Sequence, residues 1–336
     1  MSLGRPVIVR RMLLLSIPLL VVLLAAVYLG MSIGSTGVDL RAVARSLAGG
    51  LSDDPTLGTI IWQIRFPRAL LAALIGATLS LGGLVFQAIL RNPLAEPYIL
   101  GISGGAAIGA ISGILLGLSR FPGVSLTSFA GSMATLLVLM LIAGTRSMVQ
   151  NNRLLLSGVM VNAFCGAVIM FLISITQDSR LHNIIFWMMG DLSLADMHQV
   201  TILGITVLPC FLFIFYLAHA MNVLLLGQEM AQSMGFDVRI IVSLLLVVTS
   251  LMVSATVSHC GLVGFVGLVI PHLFRLLLGA DHRLLVPACL LGGGAYMVLC
   301  DILARTLPSH GEMPAGVVTA LIGAPLFIYL LKRTER

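Results

Sequence analysis

Ten stretches of almost unbroken apolar residues run along this chain, separated by short polar turns. They cover residues 12–33, 69–90, 99–118, 124–144, 154–176, 200–220, 240–260, 262–278, 284–300 and 315–331. Most are about 20 residues long, the length at which a helix crosses the hydrocarbon of a bilayer. Strands of an outer-membrane barrel would alternate apolar and polar positions in pieces of about ten, and these runs do not alternate. The pattern predicts an all-α polytopic membrane protein, a single transmembrane domain over residues 1–336 with about ten spanning helices. The eighth segment is short, rich in glycine, interrupted by Pro271 and carries Arg275. It predicts a kinked or partly re-entrant helix, because non-helical backbone is tolerated at depth only where protein or a cavity covers it.

Composition agrees with the pattern. Of 336 residues 59% are hydrophobic and 10% charged, with a mean hydropathy of +1.09. A soluble domain carries about 25% charged residues, so most of this surface is expected to face lipid. The net charge of +6 is almost wholly arginine, Lys332 being the one lysine. There is no basic tract of the kind that tracks nucleic acid. Arg5, Arg10 and Arg11 precede the first apolar run, which reads as a retained span because no small-residue cleavage pattern closes it. The cysteines Cys165, Cys210, Cys260, Cys289 and Cys300 form no CxxC pair and read as small buried hydrophobes.

Loop arginines set the orientation. With the amino terminus inside, 12 of the basic residues face the cytoplasm and 7 face outward, namely Arg41, Arg45, Arg65, Arg68, Arg120, Arg180 and Arg305. Both termini are therefore expected in the cytoplasm. Arg65, Arg68 and Arg305 lie at span ends on the face where the rule disfavours them, so something on that face should want positive charge. Contact with lipid head groups is the plain reading of that excess. Within the third segment, Gly105, Gly109, Gly113 and Gly117 share one helix face, a stripe that predicts close helix packing.

Catalytic chemistry is not evident. Gly101-Ile102-Ser103-Gly104-Gly105 matches a nucleophile elbow but opens a membrane helix rather than a strand-to-helix turn. The lone lysine follows Leu331, so a phosphate-binding Gly-Lys loop is excluded. The seven histidines show no metal-ligand spacing. No catalytic residue, metal or cofactor is expected. An ion-coupled secondary transporter would carry ionisable residues deep in its spans. Asp301 is the main one here, with Arg305 one turn on as its natural neutralising partner. That alternative stays open but is disfavoured.

Four stretches carry identity. The first is Arg65-Phe66-Pro67-Arg68, with Gln87, then Arg91-Asn92-Pro93-Leu94-Ala95-Glu96-Pro97 and Leu100-Gly101. The second is Gly261-Leu262-Val263-Gly264-Phe265-Val266-Gly267-Leu268-Val269-Ile270-Pro271-His272, with Arg275, Gly279 and Asp281-His282-Arg283. The third is Asp301-Ile302-Leu303-Ala304-Arg305 with Glu312-Met313-Pro314-Ala315-Gly316-Val317-Val318-Thr319, and the fourth is Gly323-Ala324-Pro325-Leu326-Phe327. Together they resemble the FecCD-type permeases of ABC importers for iron–siderophore complexes, haem and vitamin B12.

The resemblance implies a vitamin B12 permease-like fold of ten helices in a bacterial inner membrane, paired with itself or a paralogue. It implies a cytoplasmic ABC ATPase dimer below and a periplasmic substrate-binding protein above. By the same resemblance, Arg65, Arg68 and Arg305 would dock glutamates of the binding protein. Asn92 and Leu94 would form the cytoplasmic gate, with Asn151 and Asn152 a second gate position that matches less closely. Helix capping would account for these gate positions equally well. Gly227, Glu229, Ala231 and Gly235 would belong to the loop that engages the ATPase, an ordinary connecting loop being the plainer reading.

Overall fold

A computed structural model describes residues 5–34, 37–38, 40–47, 58–147, 151–308 and 311–334. All ten apolar segments are helical. In chain order the helices are α1 (Arg5–Ser32), α2 (Leu40–Leu47), α3 (Phe66–Leu90), α4 (Ile102–Leu115), α5 (Ser125–Ser147), α6 (Asn151–Ser174) and α7 (Asp178–Met188). They continue as α8 (Met197–Tyr216), α9 (Ala218–Leu225), α10 (Gln228–Ser233), α11 (Val238–Cys260), α12 (Val266–Leu278), α13 (His282–Thr306) and α14 (Ala315–Thr334). The described strands are two-residue pieces, Ile33–Gly34 paired antiparallel with Gly37–Val38 just beyond α1. Among the described residues, seven helices are long and apolar enough to cross a membrane, and three shorter apolar ones complete the ten.

Local chemistry fixes several helix starts. Pro67 stands in the first turn of α3, directly after a π-helical turn over residues 60–65. Asp196, Asp237 and Asp281 cap α8, α11 and α13, each carboxylate accepting backbone N–H groups of the first turn.

The bundle is organised around α3, which α1, α8, α11, α12 and α13 surround. Leu71, Ile75, Leu79, Leu84 and Phe86 on it are fully buried. Between helices in lipid the hydrophobic effect is absent, so close backbone approach carries the packing. A Cβ on Gly76 would strike the Gly293 carbonyl of α13, and one on Gly83 the Gly267 carbonyl of α12. The predicted glycine stripe packs in the same way. Gly105, Gly109 and Gly113 press on Gly131, Thr127 and Thr135 of α5, whereas Gly117 lies past the end of α4. Facing outward, Leu14, Val21 and Leu24 of α1 and Met160, Phe164 and Met170 of α6 are exposed, as lipid contact requires. All five cysteines are buried.

The eighth segment departs from the expected kink. Its break lies at residues 261–265, and Pro271 sits inside α12. With 13 residues α12 extends only about 20 Å at 1.5 Å per residue, short of a full span. Pro271 has no N–H to give to the carbonyl four residues back, that of Gly267. Gln87 Nε2 on α3 donates to that carbonyl at 3.3 Å instead. The proline is thus absorbed by a neighbouring helix. An unexpected helix, α7, packs against the break: Asp191 N donates to Cys260 O at 2.9 Å, and a Cβ on Gly261 would meet the Trp187 carbonyl.

Candidate functional site

Outer and inner are used below in the sense that the arginine pattern predicts. At the outer end, Arg65 closes a π-helical turn (Ile60–Arg65), Arg68 opens α3 and Arg305 lies in the last turn of α13. The docking expectation places these guanidinium groups on the surface, and the structure draws them inward: Arg65, Arg68 and Arg305 are 8%, 5% and 4% exposed. The reason is the end of α1, whose last carbonyls have no partner within the helix. Arg65 Nη1 donates to Met31 O at 3.2 Å and to Ser32 O at 3.0 Å, and Arg305 Nη1 donates to Gly30 O at 3.2 Å. Positive charge at a helix C-terminus also suits the helix dipole.

Asp301, fully buried, holds the other side of the cluster. Arg68 Nε donates to its Oδ1 at 3.0 Å, and Arg68 Nη2 is ion-paired with the same oxygen at 2.9 Å. Arg305 Nη2 lies 3.1 Å from Oδ2, an ion pair whose alignment falls short of a hydrogen bond. Arg68 Nη1 reaches Glu312 Oε2 at 2.6 Å, and Glu312 is at the rim, about one-third exposed. Among the described residues these arginines face two carboxylates, Asp301 and Glu312. The hairpin beyond α1 covers the cluster: a Cβ on Gly34 would stand 2.7 Å from Arg65 Nη2.

A second outer feature is a cavity of about 550 Å³ lined by Arg120, Arg180, His182, Trp187 and Asp191, among others. Arg120 Nη1 donates to Asp191 Oδ2 at 2.7 Å. Burial alone would raise the Asp191 carboxyl, but the Arg120 charge and the Ser193 N–H hold it below the ordinary range. Arg180 Nη1 donates to the Leu115 carbonyl at the end of α4.

The gate residues Asn92 and Leu94 lie in the turn between α3 and α4. Asn92 Oδ1 accepts the Leu94 N–H at 2.9 Å, an Asx turn, and Ala95 N donates to Asn92 O at 3.0 Å. Leu94 is 45% exposed. Asn151 and Asn152 begin α6, and their side chains lie outside the described residues. The structure therefore groups Asn92 with Leu94 and leaves the second pair unplaced. The same turn carries two residues to which sequence reasoning gave no role. Tyr98 Oη donates to Val263 O at 2.9 Å and accepts from Val263 N at 3.1 Å, and Glu96 Oε1 accepts from Phe265 N at 3.1 Å. Phe265 has φ +68°, a left-handed backbone that costs a side-chain-bearing residue about 1–2 kcal/mol. An aromatic ring with a hydroxyl and a carboxylate flanking Pro97 was the available signal. A groove of about 530 Å³ runs beside them, lined chiefly by apolar side chains that include Met188, Phe265, Val317 and Leu321.

Gly227, Glu229, Ala231 and Gly235 fall on and around α10. Gly227 at φ +108° and Gly235 at φ +82° bracket this short helix, conformations open to glycine without a Cβ clash. Ala231 is fully buried and anchors one side, while Glu229, Met230 and Met234 face solvent on the other. No group of histidine, cysteine and carboxylate side chains that could hold a metal occurs among the described residues.

The family model for the FecCD transport family matches residues 21–333. The vitamin B12 import system permease protein BtuC of Citrobacter koseri is 41% identical over 276 residues, 82% of this chain and 84% of that protein. BtuC of Salmonella typhi is 40% identical over the same extent. Among solved structures, an inward-facing metal-chelate type ABC transporter superposes with a TM-score of 0.85 at 31% identity, covering 95% of this chain and 98% of that one. PsaBC from Streptococcus pneumoniae, at 17% identity and a TM-score of 0.54, shares the fold.

Proposed function

The chain belongs to the FecCD transport family and is a permease subunit of an ABC importer for chelate substrates, and from that premise we propose that its cargo is a corrinoid of the vitamin B12 type. The observation that carries the cargo reading is the likeness to vitamin B12 permeases over 82% of the chain. No bond is made or broken in this subunit; ATP is hydrolysed by a cytoplasmic ATPase dimer, and a periplasmic binding protein delivers the cargo. The subunit works as a homodimer in the bacterial inner membrane, one transmembrane domain over residues 1–336 with both termini in the cytoplasm.

Each end has its contacts in this reading. Glu229 and its neighbours on α10 engage the ATPase, and a short helix with a buried anchor and exposed methionines is a suitable surface, since Met side chains adapt to a partner. Asn92 and Leu94 close the inner mouth, with Asn151 and Asn152 as a second gate position. Arg65, Arg68 and Arg305 seat the binding protein, which requires one internal partner to yield. Glu312 at the rim is the carboxylate that an incoming one would displace.

Reconstitution tests the function. Proteoliposomes holding this chain with its ATPase and binding protein should accumulate radiolabelled cyanocobalamin when ATP is supplied to the ATPase side, with or without an ion gradient. Uptake that follows a proton or sodium gradient and ignores ATP would overturn the permease reading; ATP-driven uptake of a ferric siderophore but not of cobalamin would overturn only the cargo.

A further inference from the structure

Between α11 and α12 the chain abandons the helix for residues 261–265, and that break forms part of the groove wall, with Leu262, Gly264 and Phe265 lining it. Phe265 is the most unusual of them, its backbone left-handed and its carbonyl starting α12 by accepting the Leu268 and Val269 N–H groups at 3.2 and 2.9 Å. The side chain lies over α14, where a Cβ on Gly323 would strike it. A bulky residue remains in this region of φ and ψ only when its surroundings hold it there.

Two side chains from the 91–101 turn do the holding. Tyr98 bonds both backbone groups of Val263, and Glu96 bonds the N–H of Phe265. These partners are 165 to 169 residues away in sequence. The turn's own hydrogen bonds fall in two sets, Leu94 N to Asn92 Oδ1 and Ala95 N to Asn92 O, then Ile99 N to Glu96 O and Gly101 N to Tyr98 O. Ala95 and Pro97, where the sets meet, are both buried. The exposed Leu94 end thus lies in the same short segment as Glu96 and Tyr98, whose side chains bond Phe265 and Val263.

We propose that Glu96 and Tyr98 are positioning residues for transport: they clasp the 261–265 break to the inner turn, so that the groove wall at Phe265 moves with that turn when the importer changes state. The proposal rests on the permease reading. In it, Phe265 is held strained while the clasp is closed, and motion of the inner turn moves the groove wall it forms.

The test uses the assembled transporter in proteoliposomes and reads two single cysteines, Leu94→Cys in the turn and Leu321→Cys in the groove, by their rates of maleimide labelling. Both positions are exposed, and the five native cysteines are buried. In the otherwise unaltered chain, both rates should differ between the nucleotide-free and the vanadate-trapped state. With Glu96→Ala or Tyr98→Phe added, the response at position 94 should persist while that at position 321 shrinks by about fivefold or more, as expected for a lost coupling between sites. Glu96→Gln, which keeps an acceptor oxygen for the Phe265 N–H, should restore it, an outcome that a general loss of packing would not give. Tyr98→Phe removes one oxygen only and decides the matter if Glu96→Ala does not assemble. A response at position 321 that survives loss of both clasp residues overturns the proposal, as does a groove that never responds while the turn does. If neither position responds in the unaltered transporter, the permease reading itself falls and the clasp with it.

Discussion

At the outer end, Arg65, Arg68, Asp301, Arg305 and Glu312 turn inward onto one another and onto the carbonyls of α1, whereas at the inner end Glu229 lies on, and Asp237 just beyond, a short helix that shows its polar and methionine face to solvent. Both regions carry charge beside an apolar bundle, yet the charge serves different ends. Buried ions must be paired because their loss of hydration is large. Exposed ions contribute little to stability and remain available to a partner. The outer cluster is thus first a fold element, joining α1, α3 and α13, whereas the inner helix leaves its charge and its methionines on the surface. Position along the membrane normal does not predict the role; burial does.

The sharpest way to break this contrast is to remove the carboxylate at the centre of the outer cluster. Asp301→Ala leaves Arg305 buried without its carboxylate partner and Arg68 with Glu312 alone, which should destabilise the bundle by about 3–5 kcal/mol. Thermal melting in detergent should show a large fall and expression should drop with it. A melting temperature equal to that of the unaltered protein would mean that the arginines find other acceptors or water, and the cluster would no longer count as a fold element.

The inner helix should behave in the opposite way. Gly235→Val forces a side chain into left-handed backbone at a cost of about 1–2 kcal/mol, but the strain falls on an exposed turn that can shift. The bundle should melt nearly unchanged. Uptake per ATP should fall roughly 5- to 30-fold, the factor that 1–2 kcal/mol of misplaced contact surface represents. Co-purification of the ATPase together with vesicle uptake measures both halves of the statement. Normal uptake with normal assembly would remove α10 from the coupling surface.

What the sequence made legible follows the same line between local and distant. Ten apolar runs are local statements, and each became a helix because a continuous apolar segment has one stable form in lipid. The glycine stripe from Gly105 to Gly113 was equally local. The Arg68–Asp301 pair spans 233 positions, and no periodicity announces which helices will meet. Arg65 and Arg305 drew notice through the charge rule, but their acceptors on α1 are backbone carbonyls, which leave no trace in a sequence. Pro271 was read as the break because proline removes a hydrogen bond; Gln87 supplies that bond from another helix, and the break moved to 261–265. Helix α7 was missed because 11 residues with a polar first turn carry no spanning signal. Glu96 and Tyr98 were visible as residue types beside Pro97, while their roles existed only after the turn met Val263 and Phe265.

The smallest expected effect lies in a third arrangement, between the buried outer cluster and the open inner helix. Asp281 caps α13 at its inner end and is only part-buried. Its Oδ1 accepts from Arg283 N at 3.0 Å and from Asn222 Nδ2 at 2.7 Å, and Arg283 Nη2 pairs with Oδ2 at 2.7 Å. Burial works to raise its carboxyl, but these hydrogen bonds prevail and hold it down to about 2, against an ordinary value of 3.8. A depressed carboxylate stabilises the folded chain at every pH above its unfolded value, and that contribution is lost as pH falls through the folded one. The loss should begin near pH 4 and be complete near pH 2, leaving the neutral range untouched. Asp281→Asn keeps the size and one capping oxygen while removing the charge. In detergent the unaltered protein should melt higher than Asp281→Asn at pH 6, and the two curves should converge as pH approaches 2. A gap that is constant from pH 6 to pH 2 would show that Asp281 acts through its shape and its cap alone, and would place it with the neutral hydrogen-bonding groups of the turns rather than with the ion pairs of the outer cluster.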